Sequence, residues 1–221
     1  MKRVVIFGVS DAAELAHYYF TKDTNLAVEA FTVDAAFMPQ EKEFCALPVV
    51  PFENVQARYS PSEFLLFVAL GYSNLNQTRK EKYRDAKALG YQLASYVSSK
   101  ASVLNEGNIG ENCFVLEDNT IQPFTSIGNN VTLWSGNHIG HHTRIDDHCF
   151  FASHIVVSGR VHVGESCFVG VNATLRDHIT VGENCIIGAG ALLNTDAAAG
   201  GVYVGNATER SRVPSSRVRK I

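Results

Sequence analysis

A six-residue repeat of apolar side chains runs through the chain and limits the folds open to it. An α-helix repeats every 3.6 residues and a β-strand every two, so neither gives a strict period of six. A hexapeptide β-helix does, because each six-residue rung forms one side of a triangular coil and buries one anchor residue. The sequence therefore predicts a parallel β-helix of about five coils of about 18 residues each. The anchors are Val103, Ile109, Val115, Ile121, Ile127, Leu133, Ile139, Ile145, Phe151, Val157, Val163, Val169, Leu175, Val181, Ile187 and Leu193.

Four of the five cysteines fall in one column of this coil. They each follow an anchor by four residues, and Val131 takes the same place in another coil; the four are Cys113, Cys149, Cys167 and Cys185. A place shared with valine favours a small buried side chain, which is how a free cysteine packs. The chain has no CxxC pair, and no two coil histidines are five residues apart, the spacing of the zinc carbonic anhydrase class of coils. We therefore expect no metal.

Residues 1–98 read as a small α/β unit. A strand over 3–7 leads through Gly8 into a helical pattern, and further strands and helices alternate after it, with Pro51 read as part of a loop. Such alternation predicts a short parallel sheet that binds ligands beyond the carboxyl ends of its strands. The turn lacks the GxGxxG dinucleotide fingerprint, yet its amide groups and helix N-terminus can bind an anion. Asp34 follows the second predicted strand, and its carboxylate can accept a hydrogen bond from a ribose or a base. The alternative is that these residues form an ordinary turn and helix cap without a ligand.

Charge and terminal sequence give no reason to expect a nucleic-acid or membrane partner. The formal net charge is −3, and the chain enters a strand-like run without a signal-peptide pattern or a long apolar span. We expect a soluble, cytoplasmic protein. Basic residues gather near the C-terminus and form either a solvated tail or a contact to cofactor phosphates. They are Arg210, Arg212, Arg217, Arg219 and Lys220.

Residues 18 apart lie above one another in such a coil, so His141 is expected beside Gly159, roughly 5 Å away. An imidazole, whose ordinary pKa is about 6.5, can take a proton from an attacking amine or hydroxyl. A bare glycine N–H can stabilise the oxyanion that forms. The pair suits acyl transfer; the alternative is a surface histidine on a polar turn. The same 18-residue spacing places five polar residues above one another at a turn, and we expect this column to be a solvated corner. Its members are Asn112, Asn130, His148, Ser166 and Asn184.

This coil behind an α/β unit resembles the bacterial nucleotide-sugar N-acetyltransferases and the sialic-acid O-acetyltransferase-like proteins grouped with them. The similarity covers nearly the whole chain and is carried by segments 6–10, 68–71, 139–141, 157–159, 168–172, 187–191 and 202–206. It implies a Rossmann-like domain over 1–98 that binds a nucleotide sugar. It also implies a left-handed β-helix acyltransferase domain with a C-terminal tail over 99–221. Acetyl-CoA as co-substrate, no metal, and a homotrimer with active sites between subunits belong to the same expectation.

The resemblance also assigns residues to roles. His141 falls on the family's catalytic base and Gly159 on its oxyanion donor. The acetyl-CoA groove is expected along Phe150, Gly159, Val171, Asn172, Ala189, Gly190 and Gly205. The nucleotide-sugar site is expected at Gly8, Ser10, Asp11, Asp34 and Gly71.

Two of the departures from the family pattern concern the catalytic histidine and the coenzyme contact. His142 stands where many members have an acidic residue after the catalytic histidine, which leaves open what orients His141. Asn137, four residues earlier, is an alternative partner for the ring or the sugar. Phe150 stands where a second family histidine reaches the coenzyme, so that contact is lost or replaced.

We predict transfer of an acetyl group from acetyl-CoA to the amino group of a nucleotide-linked amino deoxysugar, with His141 as general base, for surface glycan biosynthesis. O-acetylation of a sugar hydroxyl needs the same base and is the first alternative. A non-catalytic scaffold that binds a sugar nucleotide is the second. The sequence leaves the nucleotide, the sugar and the acylated position open.

Overall fold

The computed structural model describes residues 3–208, 210 and 212–217. Its first part is a five-stranded sheet with strand order β3-β4-β2-β1-β5. The strands are β1 (Arg3–Phe7), β2 (Ala27–Val33), β3 (Glu43–Phe44), β4 (Leu47–Pro51) and β5 (Phe64–Val68). The α-helices are α1 (Asp11–Asp23), α2 (Val55–Arg58) and α3 (Gln77–Ala88), and 3-10 turns cover Ala35–Phe37, Phe52–Asn54 and Ser215–Arg217. No helix in the described part of the chain is both long and apolar enough to cross a membrane.

This sheet is parallel except at one edge. β1 pairs in parallel with β2 and β5, and β2 with β4, while β3 is antiparallel to β4. The apolar run of β1 follows from burial on both faces: Val4 and Ile6 pack into one core cluster, and Val5 packs into the other. The reading of Pro51 as loop was wrong, because it is the last residue of β4 and pairs with Val33.

From Tyr96 the chain forms rungs of two-residue strands. In chain order they are β6 (Tyr96–Val97), β7 (Ser102–Val103), β8 (Phe114–Val115), β9 (Thr120–Ile121), β10 (Ser126–Ile127), β11 (Thr132–Leu133), β12 (His138–Ile139), β13 (Arg144–Ile145), β14 (Phe150–Phe151), β15 (Val156–Val157), β16 (His162–Val163), β17 (Phe168–Val169), β18 (Thr174–Leu175), β19 (Thr180–Val181), β20 (Ile186–Ile187), β21 (Leu192–Leu193) and β22 (Val202–Tyr203).

These strands stack into three parallel sheets that form the sides of the β-helix. The sheets have seven, six and four strands, in the orders β22-β20-β17-β14-β11-β8-β6, β21-β18-β15-β12-β9-β7 and β10-β13-β16-β19. The register joins residues 18 apart, as in Leu133 with Phe151, which confirms the predicted coil. β6 pairs with β8 although it lies within residues 1–98, so the coil's pairing begins slightly before the expected domain boundary.

The core of the β-helix contains the anchors and the cysteine column. The side chains of Cys113, Cys149, Cys167 and Cys185 are fully buried, as is Val131, which confirms the packing prediction. Each Sγ lies 3.1 or 3.2 Å from a main-chain carbonyl oxygen of a neighbouring coil. The thiols therefore fill the interior and contact peptide groups there.

The turn column of His148 was expected to be a solvated corner, and this expectation is wrong. The α/β unit docks on it and buries four of its five residues, Asn112, Asn130, His148 and Ser166. The backbone N–H of Val68 donates to Asn112 Oδ1 at 2.7 Å, which joins β5 directly to the coil. All five residues have positive φ, a conformation that asparagine adopts more readily than most side chains. The polar column therefore serves the contact between the two parts of the chain.

Arg79 of α3 reaches across this contact. Its guanidinium is 1% exposed and donates to four backbone carbonyls: Gly71 (3.1 Å), Asn130 (3.3 Å), His148 (3.1 Å) and Cys149 (3.1 Å). Burial lowers the pKa of Arg79 to about 10, so it stays charged at neutral pH. Within the described residues it forms no ion pair with a carboxylate. A buried cation thus joins α3 to two successive coils through carbonyl oxygens, and its guanidinium carbon also lies 5.7 Å from the centre of the Phe150 ring.

His148 is expected to make folding stability depend on pH. Burial lowers its pKa to about 4, and its Nδ1 lies 2.9 Å from the amide nitrogen of Asn130. The unfolded chain has a histidine pKa of about 6.5, so below that pH it binds a proton that the folded state excludes. The free energy of unfolding should therefore fall as the pH drops from about 6.5 to about 4, by up to about 3 kcal/mol.

The variant H148N tests this expectation with the side chain that the same column carries at Asn112 and Asn130. Urea unfolding of both proteins between pH 7.5 and pH 5 would show a shallower pH dependence for H148N. Equal slopes in the two proteins would assign the acid sensitivity to other groups.

Candidate active site

His141 lies on an exposed turn that follows β12 in the six-stranded sheet. Its backbone N–H donates to Gln122 Oε1 at 2.8 Å, and its carbonyl accepts from the Arg160 N–H at 2.8 Å. These bonds hold the turn to the coil before it and the coil after it. Gln122 was not predicted from the sequence, because the 18-residue spacing places Pro123 under His141 and does not show where a neighbouring side chain reaches.

The imidazole ring of His141 lies directly over Gly159. A Cβ atom added at Gly159 would be 2.7 Å from His141 Cε1 and 2.8 Å from Nε2, so the ring occupies space that any other residue would fill. A Cβ at Gly140 would lie 2.7 Å from the Gly159 nitrogen, so Gly140 leaves that amide uncovered. The Gly159 N–H donates to no acceptor among the described residues. An imidazole and a free amide donor are therefore adjacent.

The contact between His141 and Gly159 predicts the effect of a single methyl group. The variant G159A should displace the imidazole, and a displacement of about 1 Å can cost about 10²-fold in turnover. Gly159 does not have positive φ, so an alanine can adopt its backbone conformation without strain. The melting temperature of G159A should therefore equal that of the unmodified protein. Steady-state kinetics with a thermal melt separate the two effects, and a G159A enzyme with normal turnover would show that the ring position is unimportant.

His142 supplies the only side-chain hydrogen bond to the His141 ring among the described residues. The two Nδ1 atoms are 3.0 Å apart, and the rings are nearly perpendicular, at 89°. The His142 ring also packs on Phe124 of the preceding coil, with centroids 4.8 Å apart. Partial desolvation, followed by the charges of Arg160 and His141, lowers the pKa of His142.

Asn137 forms no hydrogen bond with His141 in the described residues, so the prediction that it orients the ring is wrong. It is 1% exposed, its Oδ1 accepts from the Ile155 N–H at 2.8 Å, and its Nδ2 donates to the Trp134 carbonyl. Both ends of the amide are therefore occupied inside the coil. Asn137 has a structural role in the turn after β11.

Gly159 lies under His141, whereas the other predicted coenzyme residues gather at a different corner of the coil. Three of them, Phe150, Val171 and Ala189, line an apolar cleft of about 370 Å³ with Tyr72 and Trp134. Phe150 is 5% exposed and stacks on Phe168, so it forms the wall of this cleft and presents no polar group.

The glycines of that corner explain its shape. Asn172 and Gly190 share one turn column and have positive φ. Gly205 packs so tightly that an added Cβ would overlap the carbonyl oxygen of Ala189. His141 does not line the cleft, so a single chain does not bring its candidate base and its candidate coenzyme groove together.

The predicted nucleotide-sugar residues line two neighbouring cavities in the α/β unit. Gly8, Ser10 and Asp34 line one of about 250 Å³ beyond the carboxyl ends of β1 and β2. Asp11 and Gly71 line the other, of about 280 Å³, which extends to the aromatic side chains of the coil. An added Cβ at Gly8 would lie 2.8 Å from the Ala69 carbonyl oxygen, so glycine is needed for the close approach of β1 and β5.

Lys82 of α3 also lines the first cavity, although the sequence did not predict a role for it there. Its Nζ lies 2.8 Å from Asp34 Oδ1 and 3.2 Å from Asp85 Oδ2. Burial acts to lower the pKa of Lys82, but the two carboxylates outweigh burial and raise it. The cavity that begins at the Gly8 turn therefore contains a fixed ammonium group beside the Asp34 carboxylate.

Fold and site together define a class: an α/β unit docked on a hexapeptide β-helix with a histidine placed over a glycine of the next coil. Residues 160–195 match the family model described as bacterial transferase hexapeptide (six repeats). No curated protein matches the chain.

Solved structures match nearly the whole chain. A mutant of perosamine N-acetyltransferase from Caulobacter crescentus, in complex with CoA and GDP-perosamine, has a TM-score of 0.79 at 24% identity, over 93% of this chain and 94% of that chain. The acetyltransferase domain of PglB from Neisseria gonorrhoeae gives 0.80 at 21%, over 93% and 97%. WeeI from Acinetobacter baumannii gives 0.78 at 18%, over 93% and 97%. These matches confirm the predicted fold class, an α/β Rossmann-like unit followed by a left-handed parallel β-helix.

The described residues contain no cluster of three or more histidine, cysteine or acidic side chains arranged to hold a metal. Of the basic residues near the C-terminus, Arg219 and Lys220 lie outside the described residues.

Proposed function

We propose that this protein transfers the acetyl group of acetyl-CoA to the amino group of a nucleotide-linked amino deoxysugar, for surface glycan biosynthesis. The observation that carries the proposal is the His141 ring lying over Gly159 beside that residue's free N–H. Two structural relatives support the choice of substrates. One is a perosamine N-acetyltransferase bound to CoA and GDP-perosamine, and the other is the PglB acetyltransferase domain bound to acetyl coenzyme A.

The reaction needs one base and one oxyanion donor. The sugar amine attacks the thioester carbonyl carbon while His141 Nε2 takes a proton from the amine. The negative charge on the carbonyl oxygen is stabilised by the Gly159 N–H, a contribution of about 3 kcal/mol per donor. Collapse of the tetrahedral intermediate breaks the carbon–sulfur bond, and the departing thiolate takes the proton from His141. The products are the amide and free CoA, and the imidazole is neutral again.

We assign the sugar nucleotide to the two cavities of the α/β unit and acetyl-CoA to the corner of Phe150, Val171, Asn172, Ala189, Gly190 and Gly205. His141 lies on another corner, so we propose that a second subunit supplies it, in a homotrimer. We place the contact between subunits on the outer face of the six-stranded sheet, where Val156 and Leu192 point outward on either side of Thr174 with 42% and 63% of their surface exposed. A cytoplasmic location follows from the chemistry, since both substrates are highly charged and cross membranes poorly.

The proposal is tested with a panel of UDP-, GDP- and dTDP-linked amino sugars, acetyl-CoA and a thiol reagent that detects free CoA. Each amino sugar is paired with its hydroxyl analogue, so turnover of the hydroxyl compound alone would favour O-acetylation. Calorimetry with acetyl-CoA tests the scaffold alternative. A protein that binds none of the nucleotide sugars and no acetyl-CoA is not an acetyltransferase of this kind.

A further inference from the structure

We propose that His142 is a positioning residue for His141: the bare Nδ1 of a neutral His142 accepts a hydrogen bond from the Nδ1–H of His141. This contact leaves the lone pair on Nε2 of His141 free to accept a proton. The catalytic consequence rests on the proposed function, whereas the hydrogen bond itself does not.

The geometry allows two proton arrangements, and they have opposite consequences. At 3.0 Å between the two Nδ1 atoms, one nitrogen donates and the other accepts. If His141 donates, its Nε2 is bare and can act as a base. If His142 donates, neutral His141 carries its proton on Nε2 and cannot accept another there. The direction of one hydrogen bond thus decides whether His141 is a base or only a donor.

The surroundings of His142 favour its neutral, accepting state. Arg160, one coil further in the same column, places a positive charge near it, and His141 is the other titratable group that acts on it. The preceding coil contributes the apolar ring of Phe124 and no charge at this contact. No carboxylate forms a hydrogen bond or ion pair with His142 in the described part of the chain. Protonation of His142 is therefore disfavoured, and its lone pair stays available.

The backbone fixes both rings in the orientation that the contact needs. The His142 N–H donates to the Pro123 carbonyl at 3.3 Å, and the His141 N–H donates to Gln122 Oε1 at 2.8 Å. His142 also has positive φ, which turns its side chain back towards Phe124. Residues 122–124 of one coil thus hold both histidines of the next.

A histidine acceptor differs chemically from an acidic one. A carboxylate accepts with a permanent negative charge, whereas the Nδ1 of His142 accepts only while the ring is neutral. Protonated His142 can only donate, so the contact then persists only with the His141 proton on Nε2, where His141 is no longer a base. Activity should therefore fall at acid pH through two groups, because His141 must be neutral to act as base and His142 must be neutral to orient it.

Nitrogen-15 NMR of the full-length protein with labelled histidine tests the assignment without any substrate. The ring-nitrogen shifts of His141, assigned with H141N and H142N, show which nitrogen carries the proton at pH 7.5. We expect the proton on Nδ1 of His141 and a bare Nδ1 on His142. A proton on Nε2 of His141 would overturn the proposal.

Kinetics of three variants give an independent readout. H142F keeps an aromatic ring against Phe124 but removes the acceptor, and should lower kcat about tenfold with little change in KM. H142N restores an acceptor at the same place and should recover most of that loss. H142D also accepts, and its fixed charge should move the acid limb of kcat to higher pH, because it stabilises the imidazolium of His141. Normal turnover by H142F would overturn the proposal.

H178F is the matched control, since His178 shares the column and the positive φ of His142. It should leave kcat unchanged, which shows that a phenylalanine at such a turn is tolerated. Thermal melts check that each variant folds. If H142F does not fold, the NMR measurement on the unmodified protein still tests the proposal. A protein that acetylates no tested sugar but carries the His141 proton on Nδ1 overturns the proposed function and supports the His142 assignment.

Discussion

The variant H141A is expected to turn over its substrates about 10²- to 10⁴-fold more slowly than the unmodified protein, the range that a general base contributes. The imidazole is exposed, and the turn is held by the backbone bonds to Gln122 and Arg160, so the fold should not change. Binding of acetyl-CoA and of the sugar nucleotide should also persist, because neither proposed pocket includes this side chain. The loss should therefore appear in kcat, with KM nearly constant.

Two control variants test whether the loss of turnover is due to the basic nitrogen of His141. H141N keeps a polar side chain of similar shape without a basic nitrogen, and should be as slow as H141A. H162A removes another histidine of the coil, one whose Nε2 contacts Asp146 at 2.8 Å on the four-stranded sheet, and should leave kcat unchanged. Should H141A and H162A retain equal turnover, the base must be sought elsewhere.

Loss of the Arg79 side chain is expected to be the most destabilising single change at the contact between the α/β unit and the β-helix. The variant R79A removes a charged donor group and leaves four backbone carbonyls in a buried site without it. Each buried carbonyl that is left without a partner costs about 1–3 kcal/mol, and the emptied space adds to this loss. Urea unfolding curves of R79A and the unmodified protein give the difference in the free energy of unfolding from their midpoints and slopes.

The lysine variant separates charge from geometry at Arg79. R79K keeps a cation but has one donor nitrogen, which cannot span the carbonyls of two coils as the guanidinium fork does. It should therefore recover only part of the stability lost in R79A. The control R84A changes an exposed arginine on the same helix and should stay within about 0.5 kcal/mol of the unmodified protein. An R79A protein as stable as R84A would show that the carbonyl contacts contribute nothing net.

The sequence determined the β-helix because the repeat and the structure share a local cause. Most rungs have a two-residue strand and a buried apolar anchor, so a six-residue period in the sequence becomes an 18-residue register in the coil. The place of each cysteine followed from the same count, as did the position of His141 over Gly159. A single short apolar segment does not distinguish a strand from a helix, but the same six-residue pattern repeated in every coil does.

Tertiary structure alone decided the contacts that join distant parts of the chain. The column of Asn112 and His148 has the composition of a solvated corner, and only docking of the α/β unit makes it a buried contact with Arg79. No local sequence pattern predicts the burial of this column, because the two surfaces in contact belong to segments far apart in sequence. The partner of His141 was equally hidden: whether Asn137 or His142 reaches the ring depends on side-chain direction at a turn, which spacing does not encode. Periodicity specifies which residues share a column, whereas packing between columns and domains decides what each side chain touches.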